Sequence, residues 1–382
     1  MKIGFDAKWF FNGPPSNSRV TRSIVSALAE LDTEHTIYIF LDSNFRGVEF
    51  SHKSPKIVPV YMWAGVNLLS NVFLLPFYSR FYELDVLISQ NFSPFFSTSR
   101  RITYIHDVIY ASHPEYFSLL ERLYFSPMRI LARRADKVCT ISYSEKERLL
   151  LHRFSNSPQL IDVIYHGIDP QFRPAASFAP SQLTKVRARY LLPKNYLLYV
   201  GRFNERKNLK NLLKAYSLIP REKIPLILVG RSDWKSFDVE AYIKELGLES
   251  DVRTLGYVEE SDLPVIYALA TVFCYVSSQE GFGLPPLESM ASGVPVVVSN
   301  SSSLPEVCGD SAVYVNPTEP EDIARGIQRL VGDSSLYRIK REAALLRAGQ
   351  FKWETAAKSL ISVAESCFHP TTGAKRRESG VG

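Results

Sequence analysis

Cysteine is scarce. Cys139, Cys274, Cys308 and Cys367 are the only four in 382 residues, and no two show Cys-x-x-Cys spacing. That argues against a disulfide framework and a thiolate metal site. Cys139 and Cys274 sit in apolar, strand-like runs and read as small buried hydrophobes of a reducing compartment. Dense charge of one sign is also missing: 45 Lys and Arg face 39 Asp and Glu, and the net +6 is spread along the chain. The one basic run, Lys375-Arg-Arg377, lies in a polar tail over 369–382, which reads as disordered, with a binding patch as the alternative. Nucleic acid is therefore not the expected partner. Long hydrophobic runs are lacking as well. The most apolar window, residues 60–81, is broken by Asn67, Ser70, Asn71 and Pro76, short of a clean membrane span. The chain starts directly with a strand pattern over residues 2–5, so no secretory leader is expected. A cytoplasmic protein is expected, either soluble or peripheral on the inner face of the membrane. No Asp-x-Asp pair stands where it could hold a metal for a diphosphate.

What is present is alternation. The hydrophobic share of 46% and charged share of 22% are those of an ordinary globular protein, and the length favours two domains. Strand patterns at 2–5, 35–41, 86–89, 101–106, 137–142 and 161–165 alternate with helical spacing at 20–31 and a long helix at 119–135. The pattern restarts after a less ordered stretch near Pro170. Strands at 196–200, 225–229, 252–255, 272–276, 294–298 and 312–315 alternate with helices at 209–218, 239–246, 263–268 and 320–330. Such alternation predicts α/β domains with doubly wound parallel sheets. The domains are expected at 1–170 and 171–352, with an amphipathic helix over 353–368. A cleft between two such domains is a favoured ligand site.

Two segments carry chemistry. Residues 280–288 read Glu-Gly-Phe-Gly-Leu-Pro-Pro-Leu-Glu, a glycine loop after an apolar strand, with Pro285 and Pro286 placed to start a helix. Glu288 would lie in that helix's first turn, as a ligand for a vicinal diol such as ribose or as a helix-dipole partner. Glu280 could bind sugar hydroxyls or be an ordinary loop carboxylate. Residues 201–208 read Gly-Arg-Phe-Asn-Glu-Arg-Lys-Asn. Gly201 permits a tight turn, Arg202 and Lys207 supply cations, and a helix starting near Asn208 adds partial positive charge, a set suited to a diphosphate. Taken alone, the segment also reads as an exposed loop.

Together, the two segments and the following Ser-Met-Ala-Ser-Gly-Val-Pro-Val resemble the retaining glycosyltransferases of family 4, over nearly the whole chain and most strongly over 196–330. The resemblance implies the GT-B fold, two Rossmann-like doubly wound domains facing a central cleft. The N-terminal domain would bind the acceptor and the C-terminal domain the nucleotide-sugar, with the helix over 353–368 packing back on the first. By position, Arg202 and Lys207 match the diphosphate ligands and Gly201 their turn. Glu280 matches the residue holding the donor sugar, with Gly281, Phe282, Gly283 and Leu284 supplying backbone contacts, and Glu288 matches the ribose ligand. Gly230 and Arg231 match a strand-end turn facing the nucleotide. Gly256, Tyr257 and Val258 match the loop beside the base. His106, in Tyr104-Ile-His-Asp107, matches a histidine reaching the reacting centre; taken alone it also reads as a satisfied buried histidine. Asp107 orients or caps local structure. One departure stands out: where many relatives carry a glycine pair, the loop over 11–19 keeps only Gly13 beside Pro14 and Pro15. Contacts by Gly13, Ser16 or Arg19 are candidates at the acceptor side.

The resemblance implies transfer with retained anomeric configuration, without metal or other cofactor. Cations would stabilise the leaving diphosphate, and Glu280 would not act as a glycosidase-type nucleophile. The overall look resembles bacterial mannosyl- or rhamnosyltransferases of surface polysaccharide assembly. GDP-mannose is the expected donor and a lipid-linked oligosaccharide the expected acceptor, with the aromatic stretch 61–81 and Arg129, Arg133, Arg134 and Lys137 as candidate lipid contacts. A solvated basic face and ordinary core packing are the alternatives there. A transferase using another nucleotide-sugar such as GDP-rhamnose or a UDP-sugar, a nucleotide-sugar 2-epimerase and a catalytically silent GT-B subunit remain as other readings.

Overall fold

The computed structural model describes residues 1–50, 54–220, 224–232 and 237–369. Apart from His369, the tail expected over 369–382 lies outside them. The chain divides into two compact units. The first takes Met1–Ile141, Glu145–Gly167 and Trp353 onward; the second takes Ser142–Ser144 and Ile168–Lys352.

In the first unit β1 (Lys2–Asp6), β2 (Thr36–Asp42), β3 (Ile57–Met62), β4 (Val86–Gln90), β5 (Arg100–Ile105), β6 (Lys137–Thr140) and β7 (Ile161–Val163) form one sheet in the order β3-β2-β1-β4-β5-β6-β7. Every pairing is parallel; Ile3, for example, sits opposite Ile37 on one side and Val86 on the other. β4 is buried at all its positions, as a central parallel strand covered on both faces must be. The helix Trp353–Phe368 belongs to this unit. Its buried Ala357, Leu360 and Ala364 form a stripe at helical spacing, and it packs against the helix Pro15–Glu30.

The second unit repeats the plan with β8 (Leu197–Val200), β9 (Leu226–Val229), β10 (Val252–Gly256), β11 (Val272–Tyr275), β12 (Val296–Ser299) and β13 (Val313–Val315), in the order β10-β9-β8-β11-β12-β13. Both sheets are doubly wound, as expected. The order reverses between β1 and β4 in the first and between β8 and β11 in the second. At such a switch point the loops after the two central strands diverge and leave a crevice at the carboxyl edge.

Four local expectations need correction. The strand Ile57–Met62 falls in a stretch not read as a strand. Its Pro59 cannot donate to a ladder, which suits the edge position β3 holds. The long helix over 119–135 is two, Leu119–Phe125 and Pro127–Ala132, because Pro127 lacks an amide hydrogen and its ring crowds the preceding turn. The first helix runs Pro15–Glu30 instead of starting near residue 20. Pro15, with its preset φ, takes the first turn, which places Ser16 and Arg19 on the helix and not in a loop. Helices Pro180–Arg189 and Ser334–Ala348 were not anticipated.

Candidate functional site

Three glycines end three neighbouring strands of the second sheet. Gly201 N–H donates to Val229 O at 3.0 Å, Gly230 N–H to Gly256 O at 3.0 Å, and Phe203 N–H to Arg231 O at 2.9 Å. Gly230 has φ +145°, and a Cβ there would stand 1.8 Å from the Gly201 carbonyl oxygen, so this stitch tolerates no side chain. The rim it builds carries the Arg231 guanidinium 5.3 Å over the exposed Tyr257 ring, with Val258 buried beneath.

After Gly201 the chain makes a 3-10 turn, Glu205–Lys207, capped by the Asn204 side chain, which accepts from Lys207 N–H at 3.1 Å. Asn208 follows in the left-handed region, φ 56°, and starts the helix Leu209–Leu218. Its side-chain amide donates to Val276 O at 2.9 Å and Pro317 O at 2.7 Å, and Ser278 N–H donates to Arg206 O at 2.9 Å. These bonds tie the loop after β8 to the loop after β11, the two that flank the switch point, and to the turn after β13.

The result is a cluster around one carboxylate. Lys207 Nζ lies 2.7 Å from Glu280 Oε1, and Arg206 Nη1 lies 3.1 Å from Oε2 and 2.6 Å from the Gln279 carbonyl. Ser277 Oγ donates to Glu280, and Lys207 also donates to the Tyr275 hydroxyl. Burial raises the Glu280 carboxyl, but the charges of Lys207 and Arg206 outweigh it and hold it down to about 2. The Tyr275 phenol is pushed up by burial and by Glu280, so it stays neutral. Arg206, Ser277 and Tyr275 had no assigned role in the sequence, although Arg206 stands beside Lys207 in the motif. Arg202 lies exposed on the same loop, and its carbonyl accepts from Tyr199 OH at 3.0 Å.

The glycine loop is clamped from the loop after β12 and from Ser142, which belongs to the same unit. Ser302 Oγ accepts from Glu280 N–H at 2.9 Å and donates back to its carbonyl, Ser303 Oγ donates to Phe282 O at 2.7 Å, and Ser142 Oγ donates to Gly281 O at 2.7 Å. Gly283, φ +117°, turns the chain into the helix Leu284–Ala291. Because Leu284 and not Pro285 opens that helix, Glu288 falls in its second turn, buried, and not in the first turn as expected. Glu306 accepts from the backbone N–H of Tyr143 and Ser144 at 2.6 and 3.0 Å.

The first unit's switch point is occupied differently. Gln90, ending β4, donates through Nε2 to Asp6 O at 2.5 Å and Thr21 Oγ1 at 3.3 Å, which turns its Oε1 toward His106 Nε2 at 2.7 Å. An acceptor at that distance requires the proton on Nε2 and leaves the lone pair on Nδ1. Burial lowers the His106 pKa to about 4 against weaker upward effects of Asp107 and Asp6, so the ring is neutral near pH 7. Lys8, itself buried, donates to Asp6 at 2.6 Å and to Asn71, whose own amide donates to Gln90 O at 2.9 Å and Phe92 O at 3.1 Å. Asp107 is exposed and accepts from Ile109 N–H at 3.3 Å, a local cap. Gly13 sits in an exposed turn where a Cβ would meet the Trp9 side chain at 2.9 Å, and Ser16 is exposed in the following helix turn.

Comparison with known proteins matches both units. Residues 184–347 match the model described as Glycosyl transferases group 1, and residues 18–172 match Glycosyltransferase Family 4. The chain is 35% identical over 269 residues to O-antigen chain mannosyltransferase B of Escherichia coli, covering 69% of each. Among solved structures it resembles sucrose-phosphate synthase of Thermosynechococcus elongatus, with TM-score 0.77 at 22% identity over 97% of this chain and 100% of that one. It also resembles Anabaena Alr3699/HepE, solved with UDP and glucose, with TM-score 0.73 at 21% identity over 96% and 100%.

Proposed function

The chain belongs to glycosyltransferase family 4, a hexosyltransferase of GT-B fold, and on that premise we propose that it moves mannose from GDP-mannose, with retention, to a lipid-linked oligosaccharide during O-antigen assembly. One observation carries the donor half: Lys207, Arg206 and Glu280 brought together at the β8–β11 switch point, beside a helix N-terminus and a glycine-stitched rim. Cations on the loop after one central strand, with a buried carboxylate on the loop after the other, suit a diphosphate joined to a polyhydroxylated sugar. The choice of mannose and of the O-antigen pathway rests on the named E. coli relative.

In the proposed reaction the bond from the anomeric carbon to the diphosphate oxygen breaks, and the electron pair leaves with the phosphate. The acceptor hydroxyl attacks the same face and passes its proton to the departing phosphate oxygen. Lys207 and Arg202 stabilise the developing charge, an electrostatic contribution worth about 3 kcal/mol per donor group. Glu280, ionised at every working pH, holds sugar hydroxyls while Arg206 keeps it in place. Glu288 takes the ribose diol, and Gly230, Arg231, Tyr257 and Val258 frame the base. His106, neutral, presents a proton-accepting Nδ1 on the acceptor side. Cationic side chains replace a divalent ion, so a chelator is expected to leave the rate unchanged. The acceptor's lipid places the enzyme at the cytoplasmic face of the membrane.

A thermal-shift panel tests the donor. GDP is expected to raise the melting temperature more than UDP or ADP, since a ligand bound only by the native state stabilises it. GDP-mannose should then release GDP only with acceptor present. A larger shift with UDP would replace the nucleotide, and no shift with any diphosphate would remove the donor-site reading.

A further inference from the structure

The helical segment from residue 67 to 81 is apolar on its outward side as well as toward the core, where Leu68, Val72, Leu74 and Tyr78 pack. It runs through Asn67–Leu69, a π-helical turn at Ser70–Leu74, and Leu75–Phe81. Its buried positions are mainly polar: Ser70, Asn71 and Ser79, with Leu75. Its outward positions include Arg80 and a series each four residues after the last, Leu69, Phe73, Phe77 and Phe81, which are 45%, 67%, 64% and 68% exposed. The Phe77 and Phe81 rings stack at 6.4 Å. Exposing phenylalanines is the reverse of what water selects, and side chains four apart form one continuous strip.

A second strip lies beside it. Leu68 and Val72 pack on the same core cluster as Tyr124 and Phe125. The helices Leu119–Phe125 and Pro127–Ala132 expose Leu119, Leu120, Leu123 and Ile130, interleaved with the exposed Arg122, Arg129 and Arg133. Acidic residues are absent from 50 to 82, and from 116 to 135 there is only Glu121, while the bordering carboxylates Glu83, Glu115 and Asp136 are engaged by Lys2, His113 and Arg100. The Glu121 carboxylate is tied down in a capping box, accepting from Ser118 N–H and Oγ at 2.7 Å.

From this we infer that these adjoining helices of the first unit form a docking face for an anionic lipid bilayer, with the phenylalanines and leucines entering the acyl boundary and the arginines meeting phosphate headgroups. The partner is chosen by charge complementarity: apolar side chains interleaved with arginine and nearly free of acid match a surface that is greasy within and negative at its rim. No helix among the described residues is long and apolar enough to cross a membrane, so this face would lie on one. The inference deepens the membrane contact proposed above and rests on that reading for bringing a bilayer to the chain. It is independent of the donor and of the acceptor's sugar.

The test is flotation of the full chain with phosphatidylcholine vesicles, with and without phosphatidylglycerol, and with no donor or acceptor present. The chain should float with the mixed vesicles and much less with phosphatidylcholine alone. Phe73→Ser/Phe77→Ser/Phe81→Ser should cut binding by about tenfold or more at any salt. Arg122→Gln/Arg129→Gln/Arg133→Gln should abolish the preference for phosphatidylglycerol and the salt dependence. Unaltered binding by either variant, or no binding by the wild-type chain, overturns the proposal. So does a sedimentation-velocity dimer that the phenylalanine variant loses while vesicle binding is absent. GDP stabilisation, read separately, follows the second unit, so failure here leaves the transfer reading standing and failure there leaves this face untouched.

Discussion

The two switch points are built on the same topology and filled in opposite ways. Between β1 and β4, Asp6, Lys8, Asn71, Gln90 and His106 form a buried network in which the cation has an anion, and the neutral ring a fixed tautomer. Between β8 and β11, two cations converge on one carboxylate, and a third, Arg202, stays exposed on the same loop. A balanced network holds its shape. A cluster with more positive than negative charge can still take in an anion, because the incoming charge completes the pairing and does not compete with it. Doubly wound sheets supply the crevice, and the charge balance at its edge decides what enters.

The comparison can be broken at several points, the largest effect first. Lys207→Ala removes the cation common to Glu280 and the proposed diphosphate. Turnover should fall about 100- to 1,000-fold with unfolding curves close to wild type, and near-native transfer would end the assignment. Gly230→Ala puts a methyl group against the Gly201 carbonyl at a left-handed φ. A stability loss of about 1–3 kcal/mol or more is expected in denaturant titration, together with weaker nucleotide binding, and an unchanged midpoint would deny that this stitch shapes the rim. Glu288→Ala should weaken GDP binding about tenfold in calorimetry while leaving guanine-free pyrophosphate unaffected, the mark of a ribose contact.

The smallest effect belongs to the balanced edge. His106 has a folded pKa of about 4 against an ordinary 6.5. Below pH 6.5 the unfolded chain therefore binds a proton that the folded one refuses. Its contribution to stability falls as pH drops from 6.5 to 4 and is flat above 6.5. His106→Gln should flatten that slope. The ring's nitrogen NMR shifts in the wild type should report a proton on Nε2, and in Gln90→Leu a mixture of tautomers. A wild-type ring protonated on Nδ1 would contradict the role given to Gln90.

Much of this was legible in the sequence, for identifiable reasons. Parallel strands such as Val296–Ser299 are apolar at nearly every position, so their alternation with helices stood out. The glycines and the paired motifs could be read because each residue type is demanded by its own backbone or charge. What could not be read were contacts set by packing. Arg206 stands next to Lys207 in the motif, yet only the Asn208 stitch to β11 shows that both reach Glu280. Gln90 looks like an ordinary strand end until Asp6 orients its amide. The strip over residues 67–81 shows its apolar content in the sequence but not which aromatics face outward, because that depends on where Ser70, Asn71 and Ser79 find polar partners.

Calorimetric titration of GDP and of guanosine into the wild-type chain and Lys207→Met reads the diphosphate half-site by itself. If the β8–β11 cluster is the diphosphate half-site, Lys207→Met binds GDP at least about tenfold more weakly and guanosine unchanged. Equal GDP affinity in the two proteins would contradict it.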